Sequence, residues 1–186
     1  SIDRVIYFAG WPDKINQVFG SVNPVASSHF NFTILEPMGV VAIVAPEENS
    51  LLGLLSSIMP VILSGNTCVA IVSEKLPLCA ISLAEVISNS DVPNGVVNII
   101  TGNKEELAPH LAQHMDVNAL GIDIENKDLK NKMFLESCNN LKRVVDVSKY
   151  NAKESNFESP YIVQKFMEAK TTWHPIEKDF TSSNNY

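Results

Sequence analysis

The sequence predicts an α/β fold: a doubly wound parallel sheet of about five strands, entered through an N-terminal helix. Two observations carry this. Short apolar runs rich in β-branched residues recur between residues 39 and 148, and each is followed by a stretch with helical spacing. The runs are also apolar at nearly every position, as strands covered on both faces must be. Strands that alternate with helices in this way pair in parallel through right-handed crossovers.

The elements follow in order. Ile2, Val5, Ile6, Phe8, Ala9, Ile15 and Val18 recur at roughly helical spacing, and Pro12 bends or restarts that helix. From His29 the period changes to two: Phe30, Phe32 and Ile34 alternate with Asn31, Thr33 and Leu35, which predicts a strand. Gly39 to Ala45 is the first buried strand. Residues 50–64 read as a helix that Pro60 must kink or break. Thr67 to Val72 is the second strand, Pro77 to Ser88 a helix with proline in its first turn, and Val96 to Thr101 the third strand. Lys104 to Met115 is a helix, Asn118 to Ile124 a weaker fourth strand, Asn126 to Asn140 a polar helix, and Arg143 to Val147 the fifth strand. The expected layout is thus a lead-in over 1–37 and a Rossmann-like unit over 38–148. A polar linker follows over 149–160, then a strand within 161–175 and a loose tail over 176–186.

Composition excludes several classes. The hydrophobic and charged fractions, 45% and 19%, are ordinary for a globular chain of 186 residues. A formal net charge of −7 with mixed signs leaves no footprint for nucleic acid or anionic lipid. The most apolar region, Met38 to Val72, is broken by Pro46, Glu47, Glu48, Pro60, Gly65 and Asn66, so no membrane span is expected. No signal segment opens the chain, which begins at Ser1 and reads as a piece of a longer one; the expected location is cytoplasmic. Cys68, Cys79 and Cys138 are odd in number and widely spaced, as reduced thiols in such a compartment are. The glycosylation pattern Asn31-Phe32-Thr33 reads as chance. His110 and His114 lie four apart on a helix, but Leu111 stands where a zinc motif needs glutamate, so no metal site is expected.

Several segments in register resemble the aldehyde dehydrogenase family. Ala9-Gly10-Trp11-Pro12-Asp13-Lys14-Ile15 is similar to the helix before its cofactor domain. His29 to Thr33, followed by Glu36-Pro37-Met38-Gly39-Val40-Val41, resembles the lead into its first Rossmann strand. Ser64-Gly65-Asn66-Thr67, Pro77-Leu78, Leu83-Ala84-Glu85-Val86, Val92 to Ile99 with Thr101-Gly102, and Leu141-Lys142-Arg143-Val144 complete the match from about Tyr7 to Val147. Phe166 to Trp173 resembles the C-terminal strand with which these enzymes complete a neighbouring subunit's sheet. The layout is similar to the truncated, non-catalytic second domain of the family-sixteen members.

The resemblance implies which residues to inspect. The family's chemistry needs a cysteine nucleophile, an oxyanion donor, a glutamate base and a nicotinamide cofactor. None of the three cysteines sits in a motif resembling the nucleophile's. Pro46-Glu47-Glu48 aligns with Pro-Trp-Asn, so Glu48 puts an anionic acceptor at the donor position. The base position is Val147, which carries no proton; Asp146 points to the opposite strand face. Cofactor binding falls, in degenerate form, to Pro46, Ser73, Glu74 and Gly102, because the ribose-gripping lysine is replaced in Ile71-Val72-Ser73-Glu74. Ile122-Asp123-Ile124-Glu125 replaces the family's Phe-Thr-Gly-Ser at the helix facing the pyrophosphate, and two carboxylates there oppose NAD or NADP at a cost on the order of a few kcal/mol per contact.

These implications lead to an expectation of no catalysis, at most weak NAD or NADP binding, and a structural role beside an aldehyde dehydrogenase domain or subunit. Contact would run through the 161–175 strand by β-augmentation in a homo- or hetero-oligomer, with Trp11 and Trp173 as candidate anchors and Trp173 lacking a partner strand in its own chain. Two alternatives stand beside it: a segment of an NAD-dependent enzyme, and a weak nucleotide sensor working through Glu74.

Overall fold

Pro12 separates two short helices, α1 (Ile2–Ala9) and α2 (Ile15–Phe19), in a computed structural model that describes residues 1–176. The predicted tail therefore lies largely outside the described residues. Strand β1 (Ser21–Asn23) pairs antiparallel with β2 (His29–Pro37), where the two-residue period was read. Asn31, of the glycosylation pattern, is only 2% exposed in the middle of β2.

The alternating segment forms β3 (Val40–Val44), α3 (Ser50–Leu63), β4 (Thr67–Ile71), α4 (Leu78–Ser88), β5 (Val97–Ile100), α5 (Lys104–Gln113), β6 (Ala119–Ile122), α6 (Lys127–Ser137) and β7 (Arg143–Asp146). The five strands pair in parallel in the order β5-β4-β3-β6-β7. Val41, Ile43 and Ala45 pack with Leu54, Ile58 and Val61 of α3 on one face. Ala42 and Val44 pack with Ala108 and Ala112 of α5 and Met133 of α6 on the other. Burial on both faces explains why β3 is apolar throughout. Pro60 does not break its helix, as the sequence led one to expect. It sits in the last turn of α3, buried, where one missing N–H is outweighed by the apolar packing around it.

Two expectations about the C-terminal part are corrected. Residues 149–160 are not a free polar linker: Ala152 and Phe157 are buried, and Arg4 of α1 donates to Ala152 O at 3.0 Å, Glu154 O at 3.2 Å and Glu158 Oε1 at 3.2 Å. A buried guanidinium needs several acceptors, and this backbone supplies them. The strand also starts later than residue 161. Ser159 caps a one-turn helix, α7 (Pro160–Gln164), because proline suits a first helical turn. The strand itself is β8 (Met167–Pro175). It pairs antiparallel with β2 over the whole of both strands, from Pro37↔Met167 to His29↔Pro175, so Trp173 has a partner strand within its own chain. Among the described residues β8 is the outer strand of the sheet β1-β2-β8 and has one free edge.

Asn66 joins the two sheets. Gly65 takes φ +83°, which only glycine adopts freely, and turns the chain between α3 and β4. Asn66, 2% exposed, then accepts from Met38 N (2.7 Å) and Gly39 N (2.8 Å) and donates to Ser64 Oγ and Phe166 O, both at 2.7 Å. Arg143 adds a second tie, donating to Met167 O at 2.6 Å.

Candidate functional site

The strand order reverses between β3 and β6, since the chain moves one way to β4 and β5 and the other way to β6 and β7. Loops leaving adjacent strands at such a point diverge and open a crevice at the strands' carboxyl ends, where ligands of open α/β sheets bind. A cavity of about 480 Å³ lies there, walled by the residues after β3, β4 and β6, the start of α5, and Tyr150 to Ala152 with Phe157. Gly53 lets α3 approach Pro46, since a Cβ there would come within 2.3 Å of the proline ring.

Six carboxylates line the cleft (Glu47, Glu48, Glu74, Glu105, Asp123 and Glu125) against two ammoniums, Lys75 and Lys104. Lys104 is 7% exposed; it pairs with Glu47 and donates to Ala45 O. Glu47 also meets Ser73 Oγ at 2.9 Å and accepts from the backbone N–H groups of Glu74 and Lys75, both at 3.3 Å. Burial pushes the Glu47 carboxyl up, but the bonds from Lys104, Ser73 and Lys75, with the lysine's charge, outweigh it and hold the group at about 2. Burial raises Asp123, with Asp146 and Glu125 adding to it and Lys104 opposing. Glu74 is held at the start of α5, where it accepts from Lys104 N and, at 3.4 Å, from Asn103 Nδ2.

The model of the family described as "Aldehyde dehydrogenase family" matches residues 1–123. The chain belongs to the aldehyde dehydrogenase family. Aldehyde dehydrogenase, cytosolic 1 of Elephantulus edwardii is 34% identical over 145 residues, covering 77% of this chain and 28% of that protein. The crystal structure of PnpE from Pseudomonas sp. WBC-3 superposes with a TM-score of 0.67 at 33% identity, over 74% of this chain and 28% of that one. An NAD+ complex of aldehyde dehydrogenase from Bacillus cereus gives 0.66 at 26%, over 74% and 27%. The chain thus spans little more than a quarter of the length of these relatives.

Within the aldehyde dehydrogenase frame, the structure brings some of the singled-out residues together and leaves others apart. Pro46, Glu48 and Glu74 line the cleft, and Ser73 lies beneath it, 2% exposed. Gly102 is not among the lining residues; its φ of +154° lets Leu107 close to within 2.8 Å of where a Cβ would be. Val147 is 1% exposed, in the core beneath α3, while Asp146 faces the α6 side and pairs with Lys130 at 2.7 Å. Burial raises Asp146, but bonds from Lys130 and Ser148 outweigh it and keep its carboxyl low. Asp123 and Glu125 precede α6 rather than open it; Asn126 is the cap, accepting from Asp128 N at 3.0 Å and Leu129 N at 3.3 Å. His110 and His114 are exposed at the end of α5. Among the described residues no helix is long and apolar enough to cross a membrane.

Sequence reasoning missed the pairing of Glu47 with Lys104. One signal was available. Lys104 is the first residue of α5, where the helix dipole disfavours a cation, so a lysine there calls for an acidic partner from elsewhere.

Proposed function

We propose that this chain is a non-catalytic aldehyde dehydrogenase domain whose role is assembly beside a catalytic aldehyde dehydrogenase domain or subunit, in the manner of a truncated second domain. One contrast supports the reading. The positions aligned with the oxyanion donor and the general base hold Glu48 and Val147, while β8 is a nine-residue strand whose outer edge is open among the described residues. A carboxylate repels a developing oxyanion, and a valine moves no proton. An open edge offers backbone N–H and C=O groups to a strand of another chain.

The family's dinucleotide does not suit these residues. Its pyrophosphate would meet Asp123 and Glu125, and the nearest buried cation, Lys104, is already paired with Glu47. Bacillus cereus aldehyde dehydrogenase was solved with NAD+ bound; for this chain at most weak NAD or NADP binding is proposed. Glu74, the residue a nucleotide sensor would use, is committed to the start of α5.

Proline variants test the assembly role. Neighbouring positions on β8 present their N–H groups to opposite sides. Of Thr171→Pro and Thr172→Pro, one breaks the ladder to β2 and lowers Tm; the other blocks the free edge and leaves Tm near that of the unaltered chain. The second is expected to lose co-purification with a catalytic aldehyde dehydrogenase chain and to run at a lower mass in sedimentation. Assembly unchanged in that variant overturns the reading. Calorimetric titration with NAD and NADP tests the cofactor claim, and micromolar binding by a folded sample would move the chain to the enzyme or sensor class.

A further inference from the structure

We infer that the carboxyl ends of β3 and β4 form a built anion cradle that the chain closes with its own Glu47 carboxylate, so that a phosphate-sized anion enters only when that carboxylate is withdrawn. The inference concerns the cleft and does not rest on the assembly role.

Four donors converge on Glu47 from two segments: the Lys104 ammonium at the start of α5, and the Ser73 hydroxyl with the backbone amides of Glu74 and Lys75 in the turn after β4. Successive amides that point into one concavity are a recurrent way for proteins to hold an oxyanion. Here they are supported from behind. Ser73 is 2% and Lys104 7% exposed, and Ser73 Oγ also accepts from Leu76 N at 3.2 Å, which holds the turn. Two of the donor groups are thus built into the body of the protein.

The occupant is different in kind. The Glu47 side chain keeps 29% of its surface exposed and reaches the cradle from a short loop beside the open cavity. Among the described residues it is the only carboxylate in a salt bridge with Lys104. Without it, Lys104 would keep the bond to Ala45 O and only the longer-range charge of Asp123, leaving a buried cation under-compensated. A buried charge in that state recruits a counter-ion from solvent when a path exists, and the cavity is the path. Asp123 and Glu125, which line the same cavity, limit the guest to a small oxyanion such as phosphate or acetate and oppose a second phosphoryl group.

The test titrates inorganic phosphate, and acetate in a parallel arm, into the unaltered chain, Glu47→Ala, and Glu47→Ala/Lys104→Met at neutral pH, with calorimetry and the 15N–1H signals of Glu74 and Lys75 as readouts. Glu47→Ala is expected to bind phosphate about tenfold or more tighter than the unaltered chain, with both amide signals moving. The double variant is expected to lose that gain. No gain in Glu47→Ala, or an equal gain in the double variant, overturns the cradle. If Glu47→Ala does not fold, Glu47→Asp draws the carboxylate back by one methylene; it should show a smaller gain at the same two amides, and no gain there overturns the inference equally. Both results are independent of the β8 proline variants, so failure of the cradle and failure of the assembly role are told apart.

Discussion

The parallel sheet ends in a cleft crowded with charge, while the antiparallel sheet ends, among the described residues, in an open edge. At the cleft, six carboxylates face two lysines, and the better buried lysine is paired with the protein's own Glu47. At the edge, β8 presents, among the described residues, a free row of backbone groups beside Trp173, which is 57% exposed and stands edge-on to His29 at 5.8 Å between centroids. The difference teaches where each property resides. A binding cleft depends on the identity of a few side chains at strand ends, so a handful of replacements changes its chemistry. A strand edge depends on backbone groups, which every residue except proline supplies.

The comparison is broken most severely at the joint between the two regions. Asn66→Ala removes an acceptor for two amides and a donor to Phe166 O at a fully buried site. Loss of about 3–4 kcal/mol is expected in urea unfolding, because each buried group left unpaired costs on the order of 1–3 kcal/mol. Arg4→Met comes next. Its guanidinium ties α1 to the 152–158 wall of the cleft, bonds Ser56 Oγ at 2.8 Å and lies over Phe157 at 5.5 Å. About 3 kcal/mol should be lost, and exchange of the 150–158 amides should rise while that of β8 stays put. Equal effects on both would show that cleft and edge are one cooperative unit.

Acid sharpens the comparison. The Glu47 carboxyl stands at about 2 in the folded chain against 4.5 when unperturbed. A depressed carboxyl contributes stability that is complete above the unfolded value and is lost as pH falls from about 4.5 through 2. The expected contribution is on the order of 3 kcal/mol, and Glu47→Gln should flatten the stability slope in that window; an unchanged slope would refute the pairing. Trp173→Ala has the smallest expected effect on the fold, under about 0.5 kcal/mol, because the ring is 57% exposed. Its effect should fall on assembly. In addition, a thiol reagent is expected to titrate Cys79 and Cys138 rapidly and Cys68 only on unfolding, since burial pushes the Cys68 thiol up to about 12.

Much of the fold was legible because burial writes itself into local pattern. The five parallel strands were placed to within a residue or two, and the turn at Ser64-Gly65-Asn66 was recognised, because apolar runs and glycine turns are read within short windows. The misplacements have physical causes. The helix at Pro60 survives because tertiary packing outweighs one missing bond. The 149–160 segment looked like a linker because its acceptors for Arg4 are backbone carbonyls, which no side-chain pattern reveals. The start of β8 was set too early because Ile162, Val163 and Phe166 are as apolar as a strand would be, yet they pack under α3 and β2 from a helical turn.

At the site, the sequence was informative about what stood at each position and silent about what met what. Glu48, Val147, Asp123 and Glu125 were located by register alone. The partnership of Glu47 with Lys104, Ser73 and two amides came only with the sheet order, which carries the ends of β3 and β4 and the start of α5 to one point. By itself the sequence determined the strand–helix alternation, the two buried faces and the acidity of the strand ends, since these follow from local propensity and the exclusion of apolar groups from water. The tertiary structure decided that β8 folds back along β2 and that the cleft's buried lysine is satisfied from within. Both depend on contacts between residues far apart in the chain, and only a closed topology brings those within bonding distance.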